Sequence, residues 1–94
     1  MYRIITSNKF VKDLKLLKKR SNSDFSTLSA FAVRLGDSGV NGVEKRHRPH
    51  KLSGKYSNCW ECHVKSDLLI IWRESEEELI IELVRAGTHS DLFG

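Results

Sequence analysis

Residues 60–85 read WECHVKSDLLIIWRESEEELIIELVR, and their patterning decides the fold. Three apolar runs, Trp60 to Lys65, Leu68 to Arg73 and Leu79 to Arg85, are separated by Ser66-Asp67 and by the acidic stretch Glu74 to Glu78. Each run has the length of a strand. The middle one, Leu-Leu-Ile-Ile-Trp, is apolar throughout, which puts it at the centre of a sheet. Separators this short and polar force antiparallel pairing. In that up-down-up arrangement the end of the first strand, the start of the second and the end of the third share one end of the sheet. His63, Asp67 and His89 fall at those three points, so three groups able to bind or move protons gather there.

Upstream, Asp37 to about Ser57 reads as a loop, entered through Gly39 and Gly42 and broken by Pro49. A helical hairpin precedes it. Ser7 or Asn8 caps a helix running to about Arg20, with Phe10, Leu14 and Leu17 at helical spacing and Val11 widening the stripe. Ser21-Asn22-Ser23 reads as a turn. Asp24 then caps a second helix with Phe25, Leu28, Phe31, Ala32 and Leu35 inward, and Gly36 is its stop. Arg3 to Thr6 is a short β-prone run. The order is β-α-α-β-β-β: an α+β domain, helical hairpin on a largely antiparallel sheet. Its 94 residues suffice for one such domain, 1–94, and no more.

Charge is divided along the chain. Residues 1–65 hold fourteen Lys and Arg against five Asp and Glu, whereas residues 66–94 hold two against seven. One basic cluster is Lys9, Lys12, Lys15, Lys18, Lys19 and Arg20. The other is Lys45, Arg46, Arg48, Lys51 and Lys55, with His47 and His50 among them. Either alone reads equally well as an ordinary solvated face or as a binding surface, but together they favour a polyanionic partner, nucleic acid or an acidic protein segment. The N-terminus has no long apolar stretch of a signal peptide, and no apolar run approaches the roughly 20 residues of a membrane helix. The expectation is a cytoplasmic protein with reduced cysteines and no membrane partner.

The residue types suit metal-free RNA cleavage, in which the substrate's own 2′-hydroxyl attacks the adjacent phosphate. A base must take the 2′-proton, an acid must protonate the leaving 5′-oxygen, and cations must steady the phosphorane. Histidine fits both proton roles, a carboxylate can act as base or orient an imidazole, and arginine fits phosphate. His50, His63, Asp67, Arg85 and His89 supply those types. Local pattern does not bring His50, in the long loop, to the same end of the sheet.

Cys59-Trp60-Glu61-Cys62-His63 also spells C-x-x-C-H, the pattern of c-type haem attachment. The segment reads as a strand, where residues three apart project to opposite faces, and the only methionine is Met1. The same geometry opposes a zinc site built on both cysteines. No cofactor or metal is expected. Trp60 and Trp72, in neighbouring strands, are read as packing rather than as a platform for bases.

"HKLSGKY" (50–56), "ECHVKSDLLIIW" (61–72) and "VRAGTHSDLFG" (84–94) together resemble the YafQ branch of the RelE/ParE toxin superfamily. The resemblance implies a RelE-like, microbial-RNase-type fold and a ribosome-dependent mRNA endonuclease of a type II toxin–antitoxin system. It implies a catalytic set at His50, His63, Asp67, His89 and Phe93. It also implies a phosphate or transition-state contact at Arg85, and a cognate antitoxin that covers the basic surface. Phe93 would stack on an mRNA base, and Lys9, Lys12, Lys15, Lys45, Arg46, Arg48, Lys51 and Lys55 would hold mRNA and ribosomal RNA. Lys51 and Leu68 depart from the family, which often has proline and an aromatic residue there. His89 is the first choice for the acid; which group is base stays open between Asp67 and a neutral histidine. A non-catalytic binding toxin of the gyrase-directed type is the alternative.

Overall fold

In the computed structural model, which describes residues 1–94, the apolar run Leu68–Ser75 is β4, the middle strand of a five-stranded sheet. It pairs antiparallel with β3 (Trp60–Lys65) on one side and with β5 (Ile80–Gly87) on the other. Both hairpins therefore form as their short polar connections require. Beyond β5 lies β1 (Arg3–Thr6), paired parallel; beyond β3 lies β2 (His50–Lys51), paired antiparallel. The sheet order is β1-β5-β4-β3-β2. Burial of Leu68, Leu69, Ile70, Ile71 and Trp72 on both faces accounts for the unbroken apolar run.

One face carries the helical hairpin, α1 (Asn8–Arg20) and α2 (Asn22–Ser38). Phe10, Leu17, Leu28, Phe31, Ala32 and Leu35 from the helices pack on Cys62, Val64, Leu68, Ile70, Trp72, Ile81, Leu83 and Ala86 of the sheet. Trp72 is fully buried and stacks on Trp60, with ring centroids 6.4 Å apart, so the tryptophans are packing residues. The opposite face carries a smaller cluster of Tyr56, Cys59, Leu69, Ile71 and Leu92. Cys59 and Cys62 thus sit on opposite faces, and the two sulfurs are not presented to a shared ligand.

The helical hairpin differs from its sequence reading in three places. Val11 is 39% exposed, so the α1 stripe is narrower than expected. The turn is a single residue. Ser21, in extended conformation, closes α1 through its N–H to the Leu17 carbonyl, while its Oγ accepts from the Asp24 N–H. Ser21 is the cap of α2, and Asp24 sits within the first turn, where the helix dipole favours a carboxylate. Gly36 is not the stop; α2 continues to Ser38, with Gly39 at φ +63° as its C-cap. The bare Cα of Gly36 serves close packing, since a Cβ there would stand 2.7 Å from Ile4 Cδ1.

The expected loop is largely irregular but contains single 3₁₀ turns and the two residues of β2. After β5 the chain does not simply end: Thr88 caps a short helix, α3 (His89–Phe93), through a reciprocal box with Asp91. Gly87, at φ +153°, allows that helix to fold back against the sheet, because a Cβ would meet the Asp91 carboxylate at 2.9 Å.

Candidate functional site

The face opposite the helices is where the chemistry-bearing residues collect, and strand register explains how. His50 pairs with Glu61, Glu61 with Ile71, and Ile71 with Arg85, so these four form one row across β2, β3, β4 and β5. Residues paired across strands point to the same side. His63 pairs with Leu69 and Leu69 with Gly87, which makes the next row and leads directly into Thr88 and His89. His50, which local sequence pattern does not place, is brought to this face by the two-residue strand β2.

At the end of the sheet, the turn residue Asp67 accepts the backbone N–H of His89 at 3.0 Å. The meeting of Asp67 with the terminal motif is thus real, but it runs through the main chain of His89 rather than its imidazole. The ring of His89 lies against Phe93, centroids 5.0 Å apart. Phe93 is 43% exposed and meets Tyr56 edge-on, whereas its neighbour Leu92 is buried; Leu92 closes the small core and Phe93 stays partly exposed. His63 donates through Nδ1 to the Ser66 carbonyl at 3.3 Å. Its groove, about 350 Å³, is lined by Arg46, His47, Arg48, His63, Val64, Lys65 and Ser66.

Arg85 is held more tightly than a simple phosphate contact would be. Its Nε and Nη2 donate to the two carboxylate oxygens of Asp13 at 2.7 and 3.1 Å, and its Nη1 donates to Tyr56 Oη at 3.2 Å. Asp13 also accepts the Ala86 N–H, closing the stretch of β5 that β1 is too short to cover. The Asp13 hydrogen bond holds the guanidinium even more firmly protonated than usual, against the opposing effect of burial. Three of its five N–H groups are engaged, which leaves two for a ligand.

His50 donates through Nδ1 to the Arg48 carbonyl at 2.8 Å, and its Nε2 lies 3.2 Å from Glu61 Oε1. The Glu61 side chain is only 7% exposed, and its Oε2 has no hydrogen-bond partner. Burial, reinforced by the nearby Glu61 charge, pushes the Cys62 thiol up to about 12, so Cys62 is a packing residue and not a nucleophile.

Lys9, Lys12 and Lys15 are exposed on α1, beside β5; Lys45, Arg46, Arg48, Lys51 and Lys55 are exposed on the loop beside β3. The two basic clusters flank the sheet from either side. Not every basic residue is free: Arg46 pairs with Glu44, and Arg20 pairs with Asp91 of α3. Lys51 lies over the Trp60 ring and Lys55 over the Tyr56 ring. His47 is buried, donating to the His63 carbonyl at 2.7 Å and packing edge-on against Phe31, so it braces β3 instead of joining the basic surface. Asp13, Tyr56 and Glu61 are the site residues that sequence reasoning does not single out. Glu61 has a local signal, a carboxylate inside an apolar strand two residues before His63; Asp13 and Tyr56 have none. No helix is long and apolar enough to cross a membrane.

A family model described as bacterial toxin of type II toxin–antitoxin system, YafQ, matches residues 2–94. The mRNA interferase toxin YafQ of Escherichia coli (strain K12) is 30% identical over 88 residues, 94% of this chain and 91% of that protein. The crystal structure of YafQ from E. coli strain BL21(DE3) covers 100% of both chains with a TM-score of 0.86 at 26% identity. The same toxin within the E. coli DinJ-YafQ toxin–antitoxin complex gives 0.81 at 27% identity, over 99% of this chain and 98% of that one. A metal-bound toxin from Helicobacter pylori is 36% identical, with a TM-score of 0.83 over 99% of this chain and 100% of its own.

Proposed function

Because this chain belongs to the YafQ family of toxins of type II toxin–antitoxin systems, we propose that it is an mRNA interferase that cuts mRNA on the ribosome by metal-independent acid–base chemistry. The observation that carries the reading is the sheet face on which His50, His63 and Arg85 share two adjacent rows beside His89 and Phe93, flanked by the basic clusters. A face built only to bind a protein has no use for three histidines next to an arginine anchored by a carboxylate.

In the proposed reaction the mRNA 2′-oxygen attacks the neighbouring phosphorus. Asp67 or a neutral histidine takes the 2′-proton, and a protonated histidine supplies the proton of the leaving 5′-oxygen. The two remaining N–H groups of Arg85 face the phosphorane charge. Products are a 2′,3′-cyclic phosphate or its 3′-phosphate and a 5′-hydroxyl. Phe93 supports the reading through its partly exposed ring, on which one base stacks for about 1–3 kcal/mol. Lys9, Lys12 and Lys15 on one flank, and Lys45, Arg46, Arg48, Lys51 and Lys55 on the other, hold mRNA and ribosomal RNA through phosphates. The neutralising partner is an antitoxin with an acidic or amphipathic segment, as a toxin of this family and this charge distribution requires. Toxin and ribosome meet in the cytoplasm.

Cleavage of a defined mRNA, alone and on translating ribosomes, with and without a chelator that takes zinc and copper but leaves the magnesium ribosomes need, tests the reading against a His89→Ala variant. Cuts that need ribosomes, survive the chelator and fall by about 10²–10⁴-fold in the variant are expected. The metal-bound Helicobacter relative makes the chelator arm informative, since loss of cutting with that chelator on intact ribosomes would overturn the metal-independent chemistry alone. Folded protein that cuts nothing in any condition would replace the nuclease by a binding toxin.

A further inference from the structure

Arg85 Nη1 donates to Tyr56 Oη at 3.2 Å, and a guanidinium has nothing with which to accept in return. The hydrogen of the phenol itself must therefore go elsewhere, and no group of this chain accepts it. That is unusual for a tyrosine only 8% exposed, since a buried hydroxyl ordinarily has a partner for its hydrogen. The side chain is also fixed in place. Its ring packs with Cys59, Leu69, Ile71 and Leu92 and meets Phe93 edge-on. Its carbonyl accepts the Cys59 N–H at 3.0 Å, which ties the turn carrying Tyr56 to the start of β3. The hydroxyl is thus a rigidly mounted donor with its hydrogen uncommitted.

We propose that Tyr56 gives this hydrogen to a nonbridging oxygen of the cleaved phosphate, and so acts as a catalytic residue that steadies the phosphorane beside Arg85. This rests on the nuclease reading and deepens it, adding a neutral donor to the two N–H groups that Arg85 has left. Position supports it. Tyr56 touches Arg85 through its hydroxyl and Phe93 through its ring, and His89 lies against Phe93. Arg85 and Phe93 both keep part of their surface open. An RNA strand with its phosphate at Arg85 and a base on Phe93 therefore runs along Tyr56. Chemistry supports it as well. Donation from Arg85 to Tyr56 and from Tyr56 to phosphate runs in one direction, each bond polarising the next, so the hydroxyl donates more strongly than a free phenol. Packing already holds the ring, so the donor needs no rearrangement as charge grows on the phosphate oxygens. The hydrogen stays on Oη throughout, and the acid and base steps are unchanged.

The test is single-turnover cleavage of ribosome-bound mRNA in which sulfur replaces one nonbridging oxygen of the cleaved linkage, each diastereomer taken separately. Sulfur accepts hydrogen bonds poorly, so deleting the hydroxyl and replacing its oxygen remove one contact from its two sides. Tyr56→Phe should cut the ordinary linkage about 10²-fold more slowly. Wild type should cut one of the two diastereomers about tenfold more slowly than the ordinary linkage, or slower still. Tyr56→Phe should cut that same diastereomer within about threefold of its own rate on the ordinary linkage. Phenylalanine keeps the packed ring, and Asp13 still holds Arg85 at two points, so this loss of the sulfur effect belongs to the hydroxyl. A variant as fast as wild type, or one slowed with the sulfur effects intact, would make Tyr56 purely structural and overturn the proposal. Wild type indifferent to sulfur in both diastereomers would overturn it without any variant. Wild type that cuts no linkage at all would instead overturn the nuclease reading.

Discussion

Asp13 and Arg85 stand 72 positions apart in the chain yet form the best-made ion pair in the molecule, two-pronged and mostly shielded from water. Asp13→Ala would strip acceptors from Arg85 Nε and Nη2 and from the Ala86 N–H at once, leaving a largely buried guanidinium unpaired. Urea denaturation should register a loss of about 3 kcal/mol, since breaking a buried pair from one side costs more than the pair was worth. Asp13→Asn, which still offers one oxygen, should cost about 1 kcal/mol. A loss below that for the alanine would mean water already screens the pair. None of this is legible in the sequence. His63, Asp67 and His89 are, because short hairpin connections dictate which strand ends meet. Asp13 and Tyr56 are not, and Glu61 shows only as a carboxylate inside an apolar strand, because each acquires its role from a partner that only the folded chain supplies.

The elements divide along the same line. Four strands and two helices follow from local sequence pattern and fall within a few residues of expectation. β2 has only two residues and exists because Glu61 and Trp60 pair with it, so no pattern of its own marks it. The junction at Ser21 is tighter than the Ser21-Asn22-Ser23 pattern suggests, because one serine both ends α1 and begins α2. Ser21→Ala should therefore cost about 1–2 kcal/mol in thermal or chemical unfolding, the upper part of the range for a lost N-cap. α3 is tied down by Arg20 at the end of α1, whose hydrogen bond to Asp91, aided by the Thr88 N–H, lowers the Asp91 carboxyl to about 2. A carboxyl lowered on folding contributes stability above its unfolded value near 3.8 and loses it as pH falls toward 2. Solvent screening of the exposed Arg20 limits that contribution to the order of 1 kcal/mol. Amide exchange in residues 88–93 should quicken between pH 4 and pH 2, and Asp91→Asn should already be fast at pH 5. A profile flat in pH would show that Leu92 alone secures the helix.

At the scale of the whole molecule, charge is arranged so that basic surface borders both sides of the site while acidic residues gather in the connection between β4 and β5. Binding to ribosome-bound mRNA should weaken steeply with salt. Every lysine that neutralises a phosphate of a single strand contributes about 0.7 to the logarithmic salt slope. Lys12→Ala and Lys45→Ala, one from each flank, should thus flatten it by about 0.7 apiece and together by about 1.4. Unchanged slopes would place the nucleic acid elsewhere.

The pairing of β1 with β5 carries a consequence for biosynthesis. The first strand made has no partner until the last strand has been made, and α3 follows even that. A growing chain that stops before Phe93 has no row from His50 to Arg85 closed over by Leu92 and Phe93. If the ribosome-bound cleavage proposed above holds, β5 and α3 must both be synthesised before the chain can act on any ribosome. A fragment that stops short of β5 leaves β1 without its partner and the row from His50 to Arg85 incomplete.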